Sequence, residues 1–347
     1  MTSYARERKI AELAVRRASL LTDSVYHSRV KGTVTKEDKS PVTIADFGAQ
    51  SVVIGAVLHA FPNDAVVGEE DADVLRRDAA TRELVWGLVN DAVKSSPELE
   101  DDIGTVADAE EMMNLIDRGN SEGGAKGRIW ALDPIDGTKG FLRGGQYAVC
   151  LALMQDGEVV AGAMACPNLP VDPSTPSGER GVVFSTVKGA GATVKPLSAS
   201  ADAEGSPIAM NAITDLSDAS FCESVEAGHS SHGQQAAIAK ALGITKESVR
   251  MDSQAKYGSI ARGDGDVYLR LPTSATYQEK IWDHAVGKLL VEEAGGVVTD
   301  AHGKPLDFSK GRTLKDNKGV VAAAKGVHGK VIEAVMKELG VSPVPSL

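Results

Sequence analysis

The chain has 347 residues, of which 42% are hydrophobic and 24% are charged, a composition typical of a globular protein. Its net charge of −11 argues against a general binder of nucleic acid or of membrane surfaces. The cysteines, Cys150, Cys166 and Cys222, show no metal-ligand spacing, and no apolar run is long enough to span a bilayer. We therefore expect a cytoplasmic protein.

The N-terminal segment predicts two helices separated by a polar loop. Apolar residues recur at helical spacing over residues 4–30, residues 31–39 are polar, and a second helix begins near Ile44. Asp46 lies in the first turn of that helix, and Thr43-Ile44-Ala45-Asp46 has the pattern of a capping box. Capping alone would explain Asp46, because the helix dipole also favours an acid at this end.

A short apolar strand is predicted at residues 65–68, directly before two carboxylates, Glu69 and Glu70. A pair of acids where a strand ends is usually solvated surface, so their position alone does not assign them a function. Residues 81–115 are predicted to be helical in part, with Leu84 and Val85 on one apolar face.

The most informative stretch is residues 129–138, which begins as a buried strand containing Trp130. Asp133 and Asp136 end this strand, and Pro134 fixes the backbone between them. Two carboxylates at the end of a rigid strand can share a hard cation such as Mg²⁺. The amides of the following Gly137-Thr138, where a helix can begin, can bind an anion. This combination indicates phosphate chemistry. The alternative is an ordinary strand followed by an Asp-Gly turn, which is a common structure and would explain Asp136-Gly137 alone.

The rest of the chain predicts strands first and alternating strands and helices later. A hairpin and two further strands are predicted between residues 146 and 197. The Ser- and Ala-rich stretch 198–207 predicts a linker, so we place a boundary between an α+β domain, 1–200, and an α/β domain, 201–347. One long helix is predicted over residues 277–294, with Asp283 near its start.

Two motifs resemble the signatures of the lithium-sensitive, Mg²⁺-dependent phosphatase superfamily, which includes the inositol monophosphatases. They are Asp133-Pro134-Ile135-Asp136-Gly137-Thr138 and Trp282-Asp283-His284-Ala285, the latter followed by Glu293-Ala294-Gly295-Gly296. The resemblance implies an α+β and α/β fold, a layered α-β-α-β-α sandwich of the sugar-phosphatase type. It also implies two or three Mg²⁺ ions, held by Glu69, Asp133, the Ile135 carbonyl, Asp136 and Asp283.

In this superfamily the residue matching Asp46 pairs with the one matching Thr138 to activate a water molecule, so the resemblance makes both catalytic. It leaves Glu70 beside the metal site and gives His284 no direct role.

Further stretches resemble the bisphosphate nucleotidase branch more closely than the inositol monophosphatases. They are Lys139-Gly140-Phe141-Leu142-Arg143, Gly228-His229-Ser230-Ser231-His232, residues 252–257 and residues 266–272. The substrate-binding residues that follow are Asp133, Asp136, Gly137, Thr138, His229, Ser253, Lys256, Arg270 and Asp283. Lysine and arginine suit the second phosphate of a bisphosphorylated nucleoside.

This resemblance implies hydrolysis of 3′-phosphoadenosine 5′-phosphate to AMP, and of 3′-phosphoadenylyl sulfate, in sulfur metabolism and salt tolerance. Sensitivity to Li⁺ and Na⁺ is also implied. We expect a monomer whose partner is a small nucleotide, with no nucleic acid and no membrane. An inositol phosphatase on the same scaffold and a non-catalytic nucleotide sensor remain the alternatives. The residues at 139, 229, 253, 256 and 270 argue against the first, and the complete set of acids with Thr138 argues against the second.

Overall fold

The computed structural model describes residues 3–28, 33–35, 41–226, 232–272, 274 and 276–341. The α-helices of these residues are α1 (Ala5–His27), α2 (Ile44–Ala60), α3 (Asp73–Arg77), α4 (Ala79–Lys94), α5 (Glu100–Ile103), α6 (Ala109–Asp117), α7 (Thr138–Arg143), α8 (His232–Ala241), α9 (Ala255–Ala261), α10 (Ala285–Glu293) and α11 (His328–Leu339). The strands are β1 (Thr33–Thr35), β2 (Pro41–Thr43), β3 (Ala65–Gly68), β4 (Arg128–Asp136), β5 (Ala148–Gln155), β6 (Glu158–Pro170), β7 (Arg180–Val187), β8 (Gly191–Pro196), β9 (Ser206–Ile208), β10 (Phe221–Glu223), β11 (Val249–Arg250), β12 (Val267–Arg270), β13 (Gly296–Thr299) and β14 (Val320–Ala324). Among the helices of this part of the chain, none combines the length and the apolar character needed to cross a bilayer.

The larger sheet has the strand order β3-β4-β5-β6-β7-β8-β9. Only the β3–β4 pair is parallel, and every other neighbouring pair is antiparallel. Nearly every residue of β4 and β5 is buried, because helices cover both faces of this sheet. The predicted hairpin is therefore confirmed as β5 and β6.

The layers stack as helix, sheet, helix, sheet, helix. Helices α1 and α2 pack on one face of the larger sheet, and α9 and α10 cover its other face. The smaller sheet, with the order β11-β10-β12-β14-β13, lies beyond α9 and α10, and α8 and α11 cover its outer face. The predicted α-β-α-β-α sandwich is confirmed.

The start of α2 is as the sequence predicts. Thr43 is the N-cap residue, and its hydroxyl accepts a hydrogen bond from the Ala45 N–H. The Asp46 carboxylate accepts in return from the Thr43 N–H at 2.8 Å, which completes the capping box. These bonds fix the Asp46 side chain in the first turn of α2, where it is fully buried.

Some predicted elements differ from the structure. The long helix predicted over residues 277–294 is wrong, because a 3₁₀ turn at Ile281–Asp283 precedes the shorter α10. Residues 279–281 instead pair their backbone with residues 312–314, as in the hydrogen bond from the Leu314 N–H to the Glu279 carbonyl at 2.8 Å. Leu84 was predicted on an apolar face but is 44% exposed.

The loop predicted over residues 31–39 contains β1, which pairs with β2, and its other residues lie outside the described ranges. The stretch 198–207 was predicted to be a linker, but its last residues begin β9, the edge strand of the larger sheet. The boundary at residue 200 stays a prediction, and one apolar core contains residues from both sides of it.

Candidate active site

The site is built on the turn that follows β4. The pairing of β4 with β5 runs in register to Asp133 and resumes at Asp136, with one extra residue on β4 in between. Such a bulge redirects side chains, and Pro134 within it offers no N–H to the ladder. Gly137 then adopts a φ of 88° before α7 begins at Thr138. A Cβ on Gly137 would lie 2.9 Å from the Cβ of Ser253, so only glycine fits here.

Glu69 reaches the same sheet edge from the neighbouring strand. The parallel pairing of β3 with β4 sets Gly68 opposite Leu132, and Glu69 follows Gly68 in the chain as Asp133 follows Leu132. Both line a cleft of about 300 Å³. Parallel strands meet at one edge with their carboxyl ends, which explains why residues 64 positions apart become neighbours.

Asp283 joins these acids from the 3₁₀ turn before α10. Carboxylate oxygens of Asp133, Asp136 and Asp283 all lie within 4.8 Å of one another. The structure therefore brings together the three aspartates that the two sequence motifs predicted, and Glu69 and Ile135 line the cleft with them.

Burial and mutual repulsion govern the electrostatics of this cluster. Burial first, and then the nearby carboxylates of Glu69, Asp136, Asp283 and Asp46, raise the pKa of Asp133 well above its ordinary value. Its Oδ1 is buried and has no hydrogen-bond partner in the part of the chain that the structure describes. An orphaned carboxylate oxygen among like charges is what a divalent cation would satisfy. The all-oxygen donor set suits Mg²⁺ better than Zn²⁺.

Asp136 and Asp283 differ from Asp133 because each has a cation nearby. Burial raises the pKa of Asp136, against the opposing effect of Lys256 and of the Gln254 N–H, which donates to its Oδ2. Burial likewise raises the pKa of Asp283 well above its ordinary value, although Arg270 opposes this shift. The cluster thus combines excess negative charge with cations at one side.

Thr138 lines the cleft, Asp46 is near enough to Asp133 to influence its pKa, and each of the two has a hydrogen bond to another group. Oδ2 of Asp46 accepts from the Thr43 hydroxyl at 2.6 Å, and its charge contributes to the raised pKa of Asp133. The Thr138 hydroxyl lines the cleft and donates to the Ile135 carbonyl at 3.2 Å. The pairing of Asp46 with Thr138 stays a prediction.

Three of the four residues predicted to contact the nucleotide, Ser253, Lys256 and Arg270, line the cleft. Ser253 has a φ of 70°, the left-handed conformation, which non-glycine residues adopt only where the surroundings fix it. The fourth, His229, lies outside the described residues.

Lys256 and Arg270 are held by different groups. Lys256 Nζ donates to the carbonyls of Ser253 at 2.7 Å and Met251 at 3.3 Å, and burial lowers its pKa. Arg270 lies 2.8 Å from Glu279 and 3.5 Å from Asp283. Burial disfavours its charge, but these acids raise the pKa of Arg270 well above its ordinary value.

The rim of the cleft carries a small ion-pair cluster on α7. Lys139 is exposed and lies 3.8 Å from Glu226, which Arg143 also contacts. Arg143 also pairs with Asp252 at 2.9 Å. The lysine that distinguishes the nucleotidase-like motif is therefore at the mouth of the site.

Glu279 is a residue that the sequence analysis missed. Burial alone would raise the pKa of Glu279, but Arg270 and His284 lower it to about 2. His284 is fully buried behind it, with Nε2 at 3.1 Å from Glu279 and Nδ1 at 2.8 Å from the Tyr257 hydroxyl. Nine residues separate Glu279 from Arg270, so no local spacing could have found the pair. His284 supports Glu279 and does not line the cleft, and its lack of a direct role stays a prediction.

Gln50 and Gln254 were also missed. Nε2 of Gln50 donates to the Glu70 carbonyl at 2.6 Å, and its Oε1 accepts from the Glu70 N–H at 3.0 Å. Gln254 joins two aspartate segments, because its N–H binds Asp136 and its Nε2 donates to the Trp282 carbonyl at 2.8 Å. A buried glutamine carries no sequence signal that separates such a role from ordinary packing.

The chain is similar to one known protein family over nearly all of its length. The model of the inositol monophosphatase family matches residues 4–339. A 3′(2′),5′-bisphosphate nucleotidase of Emericella nidulans is 58% identical over 349 residues, which cover 97% of this chain and 99% of that protein. The same named enzyme of Schizosaccharomyces pombe is 54% identical over 338 residues, 96% of this chain and 95% of that one. The structure of the Thermotoga maritima IMPase has a TM-score of 0.61 at 18% identity and covers 94% of this chain and 95% of that chain.

Proposed function

The chain belongs to the inositol monophosphatase family, and from this we propose that it hydrolyses the 3′-phosphate of 3′-phosphoadenosine 5′-phosphate to give AMP and phosphate. One observation carries the proposal: the aspartate cluster, which favours a cation, lines the same cleft as two positive side chains, the buried Lys256 and the partly buried Arg270. A plain sugar phosphate needs only the first of these features. A bisphosphorylated nucleoside uses both, because its second phosphate needs positive partners.

The residues that would hold the metal are Glu69, Asp133, the Ile135 carbonyl, Asp136 and Asp283. Two or three Mg²⁺ ions fit a donor set made only of oxygens, and the raised pKa of Asp133 indicates a position that favours a cation. When bound, the ions supply Lewis acidity, which makes a water molecule more nucleophilic and offsets negative charge on the phosphoryl oxygens.

The chain's own groups then orient the reactants. Thr138 holds the attacking water and accepts its proton as Asp46 takes the proton of the Thr138 hydroxyl. This requires the hydroxyl to turn away from the Ile135 carbonyl that it contacts now. The amides of Gly137 and Thr138 face the phosphate and stabilise the charge that develops on its oxygens. Asp46 is suited to this role because the capping box fixes its carboxylate before substrate binds.

The second phosphate lies toward Lys256 and Arg270, with Ser253 and His229 completing the nucleotide site. In a chain with net charge −11, two local cations give discrimination between substrates more than long-range attraction. We extend the proposal to 3′-phosphoadenylyl sulfate as a second substrate, to inhibition by Li⁺ and Na⁺, and to a monomer that acts in cytoplasmic sulfur metabolism and salt tolerance.

The test is phosphate release with Mg²⁺ from 3′-phosphoadenosine 5′-phosphate, AMP and inositol 1-phosphate, with and without Li⁺. Fast, Li⁺-sensitive release from the bisphosphate alone is the expected result. Preference for inositol 1-phosphate would overturn the substrate, and nucleotide binding without any release would favour the sensor.

Arg270→Lys, with Arg262→Lys as its control, tests the second-phosphate role. Both arginines are ion-paired, Arg262 to Asp264 at 2.7 Å, but only Arg270 lines the cleft. Arg270→Lys should raise KM for the bisphosphate about tenfold, because lysine cannot reproduce a two-pronged guanidinium contact. Equal KM values for the two variants would remove Arg270 from the substrate site.

A further inference from the structure

Arg312 reaches the metal site from a distant part of the chain. Its guanidinium donates to the Gly68 carbonyl at 2.5 Å, the Ser121 carbonyl at 2.9 Å and the Gly119 carbonyl at 3.1 Å. Gly68 is the residue immediately before Glu69. A single side chain, 244 positions away, therefore fixes the main chain from which Glu69 projects.

The same side chain also contacts the segment that carries Asp283. The guanidinium lies over the Trp282 ring, 4.9 Å from its centroid, and Trp282 directly precedes Asp283. The backbone of Arg312 adds a further link, because its carbonyl accepts from the Ile281 N–H at 3.2 Å. Arg312 thus contacts the segment just before Glu69 and the segment just before Asp283, which lie far apart in the sequence.

Arg312 has no described contact with the aspartate carboxylates themselves and does not line the cleft. Burial lowers its pKa, against the opposing charges of Glu122 and Glu69, so Arg312 interacts electrostatically with Glu69. Its guanidinium geometry matters as much as its charge, since one planar group donates to three carbonyls at once.

We propose that Arg312 is a positioning residue that sets the spacing between Glu69 and Asp283 and thereby the affinity for divalent cations. This inference about Arg312 rests on the proposed function only because it uses the proposed metal ligands, and it does not depend on which substrate is cleaved. Removing groups that orient metal ligands typically lowers metal affinity 10–100-fold, and the physical reason is that the unliganded acids then relax away from the cation geometry.

The test uses Arg312→Met and Arg312→Lys, with Arg17→Met as the matched control. Arg17 likewise holds backbone groups, although it is fully buried and Arg312 is only partly buried: it donates to the Gly104 carbonyl at 2.5 Å, to the Ser96 carbonyl at 3.3 Å and to the Ser96 hydroxyl at 2.9 Å. Burial lowers the pKa of Arg17 as well, and this residue does not line the cleft. For the test, the difference that matters is that the backbone held by Arg312 adjoins a metal ligand and the backbone held by Arg17 does not.

Mg²⁺ binding is measured by calorimetry without substrate, and stability by urea unfolding in EDTA. Arg312→Met and Arg17→Met should both unfold at lower urea, but only Arg312→Met should bind Mg²⁺ about tenfold more weakly, with Arg312→Lys between it and wild type. If Arg312→Met does not fold, the Mg²⁺ affinity of Arg312→Lys decides. Unchanged affinity in the folded Arg312 variants, or an equal loss in Arg17→Met, would overturn the inference. Absence of Mg²⁺ binding by wild type would instead refute the proposed metal site.

Discussion

Replacing Gln50 by leucine should destabilise the protein by about 3 kcal/mol. Gln50 is completely buried on α2, one turn after Asp46, and its amide makes three hydrogen bonds to backbone groups: the Glu70 N–H and the carbonyls of Glu70 and Ile116. Leucine is similar in size but removes all three hydrogen bonds, and of these groups the Ile116 carbonyl still accepts from the Gly119 N–H at 3.0 Å. A hydrogen bond contributes about 1 kcal/mol net to stability, so the loss of three costs about 3 kcal/mol.

Gln235→Leu is the matched control for this measurement. Gln235 is equally buried, but it makes one described hydrogen bond, to the Leu269 carbonyl at 2.9 Å, and its Oε1 has no partner within the described ranges. Leucine there removes one hydrogen bond and one unsatisfied oxygen, so the free energy of unfolding should change by no more than about 1 kcal/mol.

The assay is urea unfolding followed by circular dichroism in EDTA, which separates stability from metal binding. Gln50→Leu should shift the midpoint well below that of Gln235→Leu. Because Gln50 also fixes the backbone next to Glu69, the Mg²⁺ concentration for half-maximal phosphate release should rise as well. Equal midpoints for the two variants would refute the idea that Gln50 holds the Glu69–Glu70 turn.

Three further predictions concern charge and backbone at the site. The pKa of Asp133 is raised well above the ordinary 3.8, so the stability that protonated Asp133 contributes is lost as the pH rises above 3.8. In EDTA, Asp133→Asn should therefore be more stable than wild type between pH 5 and pH 8. In a thermal melt, the same variant should lose the stabilisation that Mg²⁺ gives to wild type. Glu279 has a pKa lowered from 4.5 to about 2, so the stability that its carboxylate contributes is present above pH 4.5 and is lost towards pH 2. Glu279→Gln should therefore be less stable than wild type at pH 6. The difference in unfolding free energy between the two, measured by urea unfolding, should decrease down to pH 3. Gly137→Ala should cost at least about 1 kcal/mol in unfolding free energy and should reduce turnover, because the left-handed φ of Gly137 and its 2.9 Å approach to Ser253 both exclude a methyl group. Wild-type turnover with unchanged stability would contradict the described turn.

Local patterns in the sequence predicted local structure well. The capping box at Thr43–Asp46 and the end of β4 at Asp136 depend on neighbours within a few residues, and both are present. The helix predicted over 277–294 fails for the opposite reason. The apolar periodicity around Trp282 is real, but backbone pairing with residues 312–314 takes the hydrogen bonds that a longer helix would need.

The candidate site also contains residues that the sequence could predict and residues that it could not. The carboxylates of Asp133, Asp136 and Asp283 were predicted because each lies in a motif that can be read within a short stretch, and the structure brings them within 4.8 Å. The groups that hold them, such as Gln254 and Arg312, act on backbone atoms far away in sequence. Buried glutamines and arginines have many uses, so only the three-dimensional arrangement reveals these two.

The contact between Arg312 and Gly68 has a consequence for how the protein is made. A ribosome that adds roughly 5–20 residues per second needs about 10 to 50 s to travel from one partner to the other. During that time β3 and β4 can pair, but the turn carrying Glu69 lacks its distant clamp. The nascent chain can therefore form its larger sheet early, while a complete catalytic centre has to wait until nearly all of the polypeptide has left the exit tunnel.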